Sequence, residues 1–174
     1  ERRRLVEEIG LDGHTLASAL DPDELARVEH EADHLAVILK RPRSWMEGDG
    51  RVFRVASVGL FLFPDKLVVV TDEDVPILDD AKVAPRGGTP SSALLRIAHR
   101  TVYRFLEHLR VIGTVAEEIE GRIATSIENR QLLELFRLGK SLVYYVNALE
   151  GNAAALERLQ ASAVKAGLTA EQVD

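Results

Sequence analysis

Positions 95, 98, 102, 105, 109, 112, 116, 119 and 123 carry Leu, Ala, Val, Phe, Leu, Ile, Ala, Ile and Ile, with no polar residue among them. Spacing that alternates three and four marks one face of a long helix. At 1.5 Å per residue such a helix runs to about 50 Å, whereas a compact domain of this size is only about 40 Å across. The helix must therefore project beyond the body or be shared with a neighbour. Thr89-Pro90 supplies an N-cap followed by proline in the first turn. Beyond Thr125 and Glu128, which have capping-box spacing, the pattern resumes at 132, 135, 139, 142, 146, 149, 153 and 156 as Leu, Leu, Gly, Leu, Val, Leu, Ala and Leu. Two helices with matched seams and a short link predict an antiparallel hairpin. Gly139 permits close approach on the seam, and Gly151-Asn152 is where the second helix would break.

The residues ahead of the hairpin have other periods. Residues 1 to about 20 read as two short helical pieces, broken at Gly10 and Gly13 and anchored by Leu11, Leu16 and Leu20. Leu35 to Leu39 is a compact apolar run, Glu47-Gly48-Asp49-Gly50 tolerates positive φ, and Val52 to Phe63 is β-branched and aromatic. Pro64-Asp65 then turns the chain into Leu67-Val68-Val69-Val70. These runs predict an antiparallel meander, apolar on both faces and so covered on both sides. Asp72 to Pro90, with its acids and three prolines, reads as a connector. The fold class expected is α+β, an α/β/α sandwich with a mainly antiparallel sheet and a long helical hairpin. Its parts are residues 1–90, the hairpin at 91–166, and the start of a further helix at 167–174.

Composition excludes several chemistries. The 174 residues include no cysteine, so there is no disulfide framework, thiolate metal site or Cys nucleophile. A net charge of -6 and a pI near 5.4 argue against nucleic acid as a partner. The longest apolar run, Val55 to Phe63, falls short of the roughly 18 to 20 residues that span a bilayer. The chain does not begin with methionine, and Thr169 with Gln172 has capping-box spacing, so a helix is expected to start at about residue 170 and continue in a longer protein.

One motif has catalytic form. His30-Glu31-Ala32-Asp33-His34 is H-E-x-x-H, which on a helix sets two imidazoles on one face as zinc ligands with the glutamate as base. Leu25, Val28, Ala32, Leu35 and Leu39 keep helical spacing, but Leu35 to Leu39 also suits a strand, Pro42 follows closely, and no third ligand is marked. The acids from Asp72 to Asp80 lack the order of a calcium loop and read as a solvated segment. His14, His99 and His108 are isolated, and Tyr144, Tyr145, Phe105 and Phe136 have the spacing of helix-packing residues.

Leu16-Ala17-Ser18-Ala19-Leu20-Asp21, Arg27-Val28-Glu29, Leu35 to Lys40, Val58 to Phe63, Leu67 to Thr71 and the two long helices together resemble the cytosolic N-terminal domain of the CorA family of divalent-cation channels. The resemblance covers nearly the whole chain by pattern rather than by one diagnostic motif. It implies a regulatory and assembly domain of a transporter for Mg²⁺ or a similar cation, with no catalysis of its own and no required cofactor. It implies a strand over Val28 to Leu39, a stalk helix from near Thr169, and a Gly-Met-Asn pore motif and membrane spans beyond Asp174. The partners implied are further copies of the same chain, pentameric at full length, and a membrane whose cytoplasmic face the domain would occupy. The family's intersubunit divalent-cation site uses acids where this sequence has Ala17 and Ser18, so those ligands do not carry over. Asp21, Asp72 and Asp74 are the acids left for a regulatory Mg²⁺ or other divalent ion. The alternatives are a soluble helical-hairpin interaction module, or a zinc hydrolase built on His30, Glu31 and His34.

Overall fold

The computed structural model describes residues 2–43, 52–73, 88–125 and 129–163. Two short helices, α1 (Arg2–Glu7) and α2 (Gly13–Ser18), lead into four strands, β1 (Arg27–His30), β2 (Leu35–Pro42), β3 (Val55–Leu62) and β4 (Leu67–Thr71). Two long helices follow, α3 (Pro90–Thr125) and α4 (Asn129–Ala161). The four strands form one antiparallel sheet in sequential order. Val37 of β2 pairs with Val28 of β1 and with Leu60 of β3. The expected meander is therefore present, with one correction: Val28 to Leu39 is not a single strand but a hairpin, turning between His30 and Leu35.

Alternation along the strands explains why both faces are apolar. Leu35, Val37 and Leu39 with Val58, Leu60 and Leu62 point to one side, where they pack on Leu94, Ile97 and Ala98 of α3 and Ala155 and Leu159 of α4. Ala36, Ile38, Phe61 and Val70 point to the other side, onto Leu11, Leu16 and Ala19 around α2. Helices cover both faces, which makes the three-layer α/β/α arrangement. Close approach on the α2 side depends on Gly59, where a Cβ would stand 2.6 Å from Ala19 Cβ. Asp12 caps α2, accepting from the N–H groups of His14 and Thr15 at 2.9 Å each. Gly10, at φ 81°, makes the turn before it; Gly13 opens α2 rather than breaking it.

The hairpin outruns the sheet. At 36 residues α3 is about 54 Å long, and past the strands the two helices hold each other through Phe105, Ile112 and Ile119 against Leu138 and Tyr145. The α3 seam is buried or half-buried at all nine positions from 95 to 123. The α4 seam is not where the spacing set it. Leu132, Leu135, Leu142 and Val146 are exposed, and the buried residues of α4 are Gln131, Leu138, Ser141, Tyr145, Ala148, Asn152, Ala155 and Leu159. The inner face of α4 is built mainly of small and polar side chains, which a hydrophobic period cannot register. Phe136, 74% exposed, and Tyr144 are likewise not packing residues, and Gly151-Asn152 leaves α4 unbroken. Both expected capping boxes, at Thr125/Glu128 and Thr169/Gln172, rest on side chains outside the described residues, as does the Glu47–Gly50 turn.

Candidate functional site

The H-E-x-x-H residues form the turn of the β1–β2 hairpin. His30 ends β1 opposite Leu35, and the Glu31 N–H donates to the His34 carbonyl at 2.9 Å to close the turn. With no helix there, the two imidazoles do not share a helical face. His30 is exposed, while His34 bonds to Asp33 Oδ1 at 2.7 Å and stacks on Phe63 at 4.8 Å between ring centroids. Among the described residues no three His, Cys, Asp or Glu side chains are grouped to hold a metal ion. The zinc-hydrolase alternative therefore lacks its geometry.

The acids named from the sequence are dispersed. Asp21 follows α2, exposed, its Oδ1 accepting from the Asp23 N–H at 2.9 Å. Asp72, just past β4, meets Arg41 Nη2 through Oδ1 at 2.6 Å and Arg43 Nη2 through Oδ2 at 3.7 Å. Glu73 bonds to the same two arginines. Asp74 lies outside the described residues. Ala17 is exposed and Ser18 buried, and Ser18 hydrogen-bonds the carboxyl of Glu24.

Three buried polar residues have roles that the sequence does not mark. Lys40 and Arg41, near the end of β2, are 7% and 1% exposed. Lys40 Nζ donates to the Pro22 carbonyl and to Ser57 Oγ, each at 2.9 Å, and Ser57 Oγ in turn donates to the Asp21 carbonyl at 2.5 Å. The segment from Asp21 to Glu24 is thus folded around a built-in cation. Burial lowers the ammonium below the ordinary lysine range, opposed by the charges of Asp21, Asp23 and Glu24. The third residue, Asn152 on α4, accepts from the Lys40 N–H at 2.7 Å and donates to the Lys40 carbonyl at 2.8 Å. Since β1 reaches only to Ile38 along β2, the Asn152 amide satisfies the backbone that β1 leaves unpaired. The signal available was the polar pair Lys40-Arg41 closing an apolar strand; Asn152 had none, because its role depends on a residue 112 positions away.

The remaining feature is the outer face of α4. Leu132, Leu135, Phe136, Leu142, Val143 and Val146 stand exposed on the side opposite the buried stripe, around Gly139, where a Cβ would meet nothing within 4 Å. Uncovered large apolar side chains repeated along one helix face are the mark of a surface that meets another apolar surface.

These observations define a three-layer α/β/α domain with an overlong helical hairpin and an exposed apolar face on α4. The model of the CorA-like Mg²⁺ transporter family matches residues 1–173, so the chain belongs to that family. It is similar in structure to the complete CorA magnesium transporter from Methanocaldococcus jannaschii, with a TM-score of 0.84 and 20% identity over 99% of this chain and 55% of that one. It is also similar to the soluble domain of CorA from Methanocaldococcus jannaschii, with a TM-score of 0.77 and 20% identity over 91% of this chain and 64% of that one. The chain therefore spans less than two-thirds of either. No curated protein sequence matches it. Among the described residues no helix is long and apolar enough to cross a membrane.

Proposed function

We propose that this chain is the regulatory and assembly part of a CorA-like transporter for Mg²⁺ or another divalent cation, seated at the cytoplasmic face of the membrane beside further copies of itself. Ions would cross through spans beyond residue 174, and the domain would bias the open or closed state through contacts between subunits, with no catalysis of its own. The observation that carries this reading is the exposed apolar stripe of α4. Burying a large apolar side chain is worth about 2 kcal/mol, so a stripe of six held in water is a standing drive toward association. A regulatory divalent ion would be held by acids from more than one copy, since among the described residues Asp72 faces two arginines and no three His, Asp or Glu side chains group within one copy.

Absence of cysteine from the chain makes a clean test possible. Val143→Cys, in a full-length protein cleared of other cysteines, is treated with a thiol-to-amine crosslinker in membranes. Crosslinked copies are expected, and their yield should fall when Leu142→Glu is added. Capture of no second copy at Val143→Cys would overturn the assembly reading.

A further inference from the structure

A cavity of about 550 Å³ opens between α4, the loop after α2 and the start of β3. Its volume is that of a small-molecule site, roughly 300 to 1,000 Å³. Arg137, Lys140, Tyr144 and Asn147 line it from one stripe of α4, spaced by three and four. Arg54, beside β3, and Lys40 add two further cations. Among the described residues, the four basic side chains of the lining face only two acidic ones, Asp23 and Glu24, and Glu24 is already tied to Arg27 at 2.6 Å.

None of Arg54, Arg137 and Lys140 has a carboxylate partner among the described residues, whereas the charge of Lys40 is offset by Asp21, Asp23 and Glu24. Lys40 is held by a carbonyl and a hydroxyl, and Lys140 Nζ lies 5.8 Å from the Tyr144 ring centroid. On a chain of net charge -6, a concavity with surplus positive charge runs against the general field. Leu25, Ala26, Val52, Val55 and Ala148 make much of the remaining lining apolar, and Leu25 is 76% exposed.

We propose that this cavity binds a small soluble phosphate ester with a flat apolar body, of the class of a nucleoside monophosphate. Arg137, Lys140 and Arg54 take the phosphate, since guanidinium and ammonium groups make charge-assisted bonds to its oxygens. The ring lies between Tyr144 and the apolar wall of Leu25 and Val52. This site goes beyond the assembly reading and does not depend on it.

Calorimetric titration of the 174-residue chain with AMP, adenosine and inorganic phosphate, at low ionic strength, tests the proposal. AMP is expected to bind one per chain, about tenfold or more tighter than either adenosine or phosphate. The double variant Arg137→Gln, Lys140→Gln should weaken AMP by about tenfold or more. Both residues are exposed, so its circular dichroism should match the parent, and Arg96→Gln, exposed on α3 outside the cavity, should bind as the parent does. Absence of saturable AMP binding would overturn the proposal. So would phosphate binding as tightly as AMP, AMP binding unaffected by the double variant, or equal weakening by Arg96→Gln.

Discussion

Asn152 shows how one side chain can fix the relation between two layers. Its amide meets both the N–H and the carbonyl of Lys40, a buried backbone that would otherwise lack partners on that side. Replacement by alanine leaves two buried polar groups unsatisfied, at about 1 to 3 kcal/mol each. Asn152→Ala should therefore lower the unfolding free energy by about 2 to 6 kcal/mol in urea titration. A loss below about 1 kcal/mol would mean that water takes over both bonds. A second residue-scale case is His108, bonded to the Tyr145 hydroxyl at 2.9 Å, with Phe53 edge-on to both rings. Burial holds the imidazole pKa down, Arg104 adds to this, and Glu107 opposes it. A histidine whose folded pKa lies below its unfolded value leaves the unfolded chain binding more protons in between. Stability contributed by neutral His108 is thus present above about pH 6.5 and is lost as pH falls from there toward the folded pKa. Urea midpoints measured from pH 7.5 down to pH 5 should decline, and His108→Asn should flatten that decline; an equal decline in both would assign it elsewhere. Neither residue's role was legible in the sequence, where both sit as isolated polar residues on helices. Burial and bonding to distant partners give them their roles.

At the scale of elements, the two halves of the hairpin differ in how plainly they announce themselves. The buried face of α3 is nearly all aliphatic or aromatic, so spacing alone located it, and Thr89-Pro90 marked its start, with Thr89 Oγ1 accepting from the Ser92 N–H at 3.2 Å. The buried face of α4 packs Ser141, Ala148, Asn152 and Ala155 against the sheet and α3, and its strongest apolar run points away from the domain. The 132-to-146 period is therefore a true helical signal that reports a second surface rather than the first. Phe136→Asp should leave the unfolding free energy of the isolated chain within about 0.5 kcal/mol of the parent, as an exposed site with no packing to lose. A loss of about 3 kcal/mol, the cost of truncating a core aromatic, would show that this face is covered within the single chain. The H-E-x-x-H pattern is the converse case, five residues that fit a helix locally and form a hairpin turn. Leu35, Val37 and Leu39 gain more from the core between sheet and hairpin than a helical segment there would bury.

Across the whole molecule, three apolar clusters divide the work. One joins the sheet to α3 and α4, one joins it to α1 and α2, and the third lies between the long helices beyond the strands. The sandwich and its antiparallel order were legible from the apolar runs and the turns between them, because layers that are covered on both sides leave no alternation of polar residues. The exposed apolar face of α4 was not legible as a separate surface, since its spacing is the same as that of a buried seam and only the fold shows that it points outward. In the proposed function this domain serves divalent-cation transport through contacts of the α4 outer face. Mg²⁺ uptake into vesicles reconstituted with the full-length protein tests it most directly. Uptake by the parent protein is expected, with a change of about fivefold or more on introducing Leu135→Glu with Leu142→Glu, the size of an ordinary coupling between sites. Absence of divalent-cation uptake by the parent, or identical uptake with the stripe charged, would contradict it.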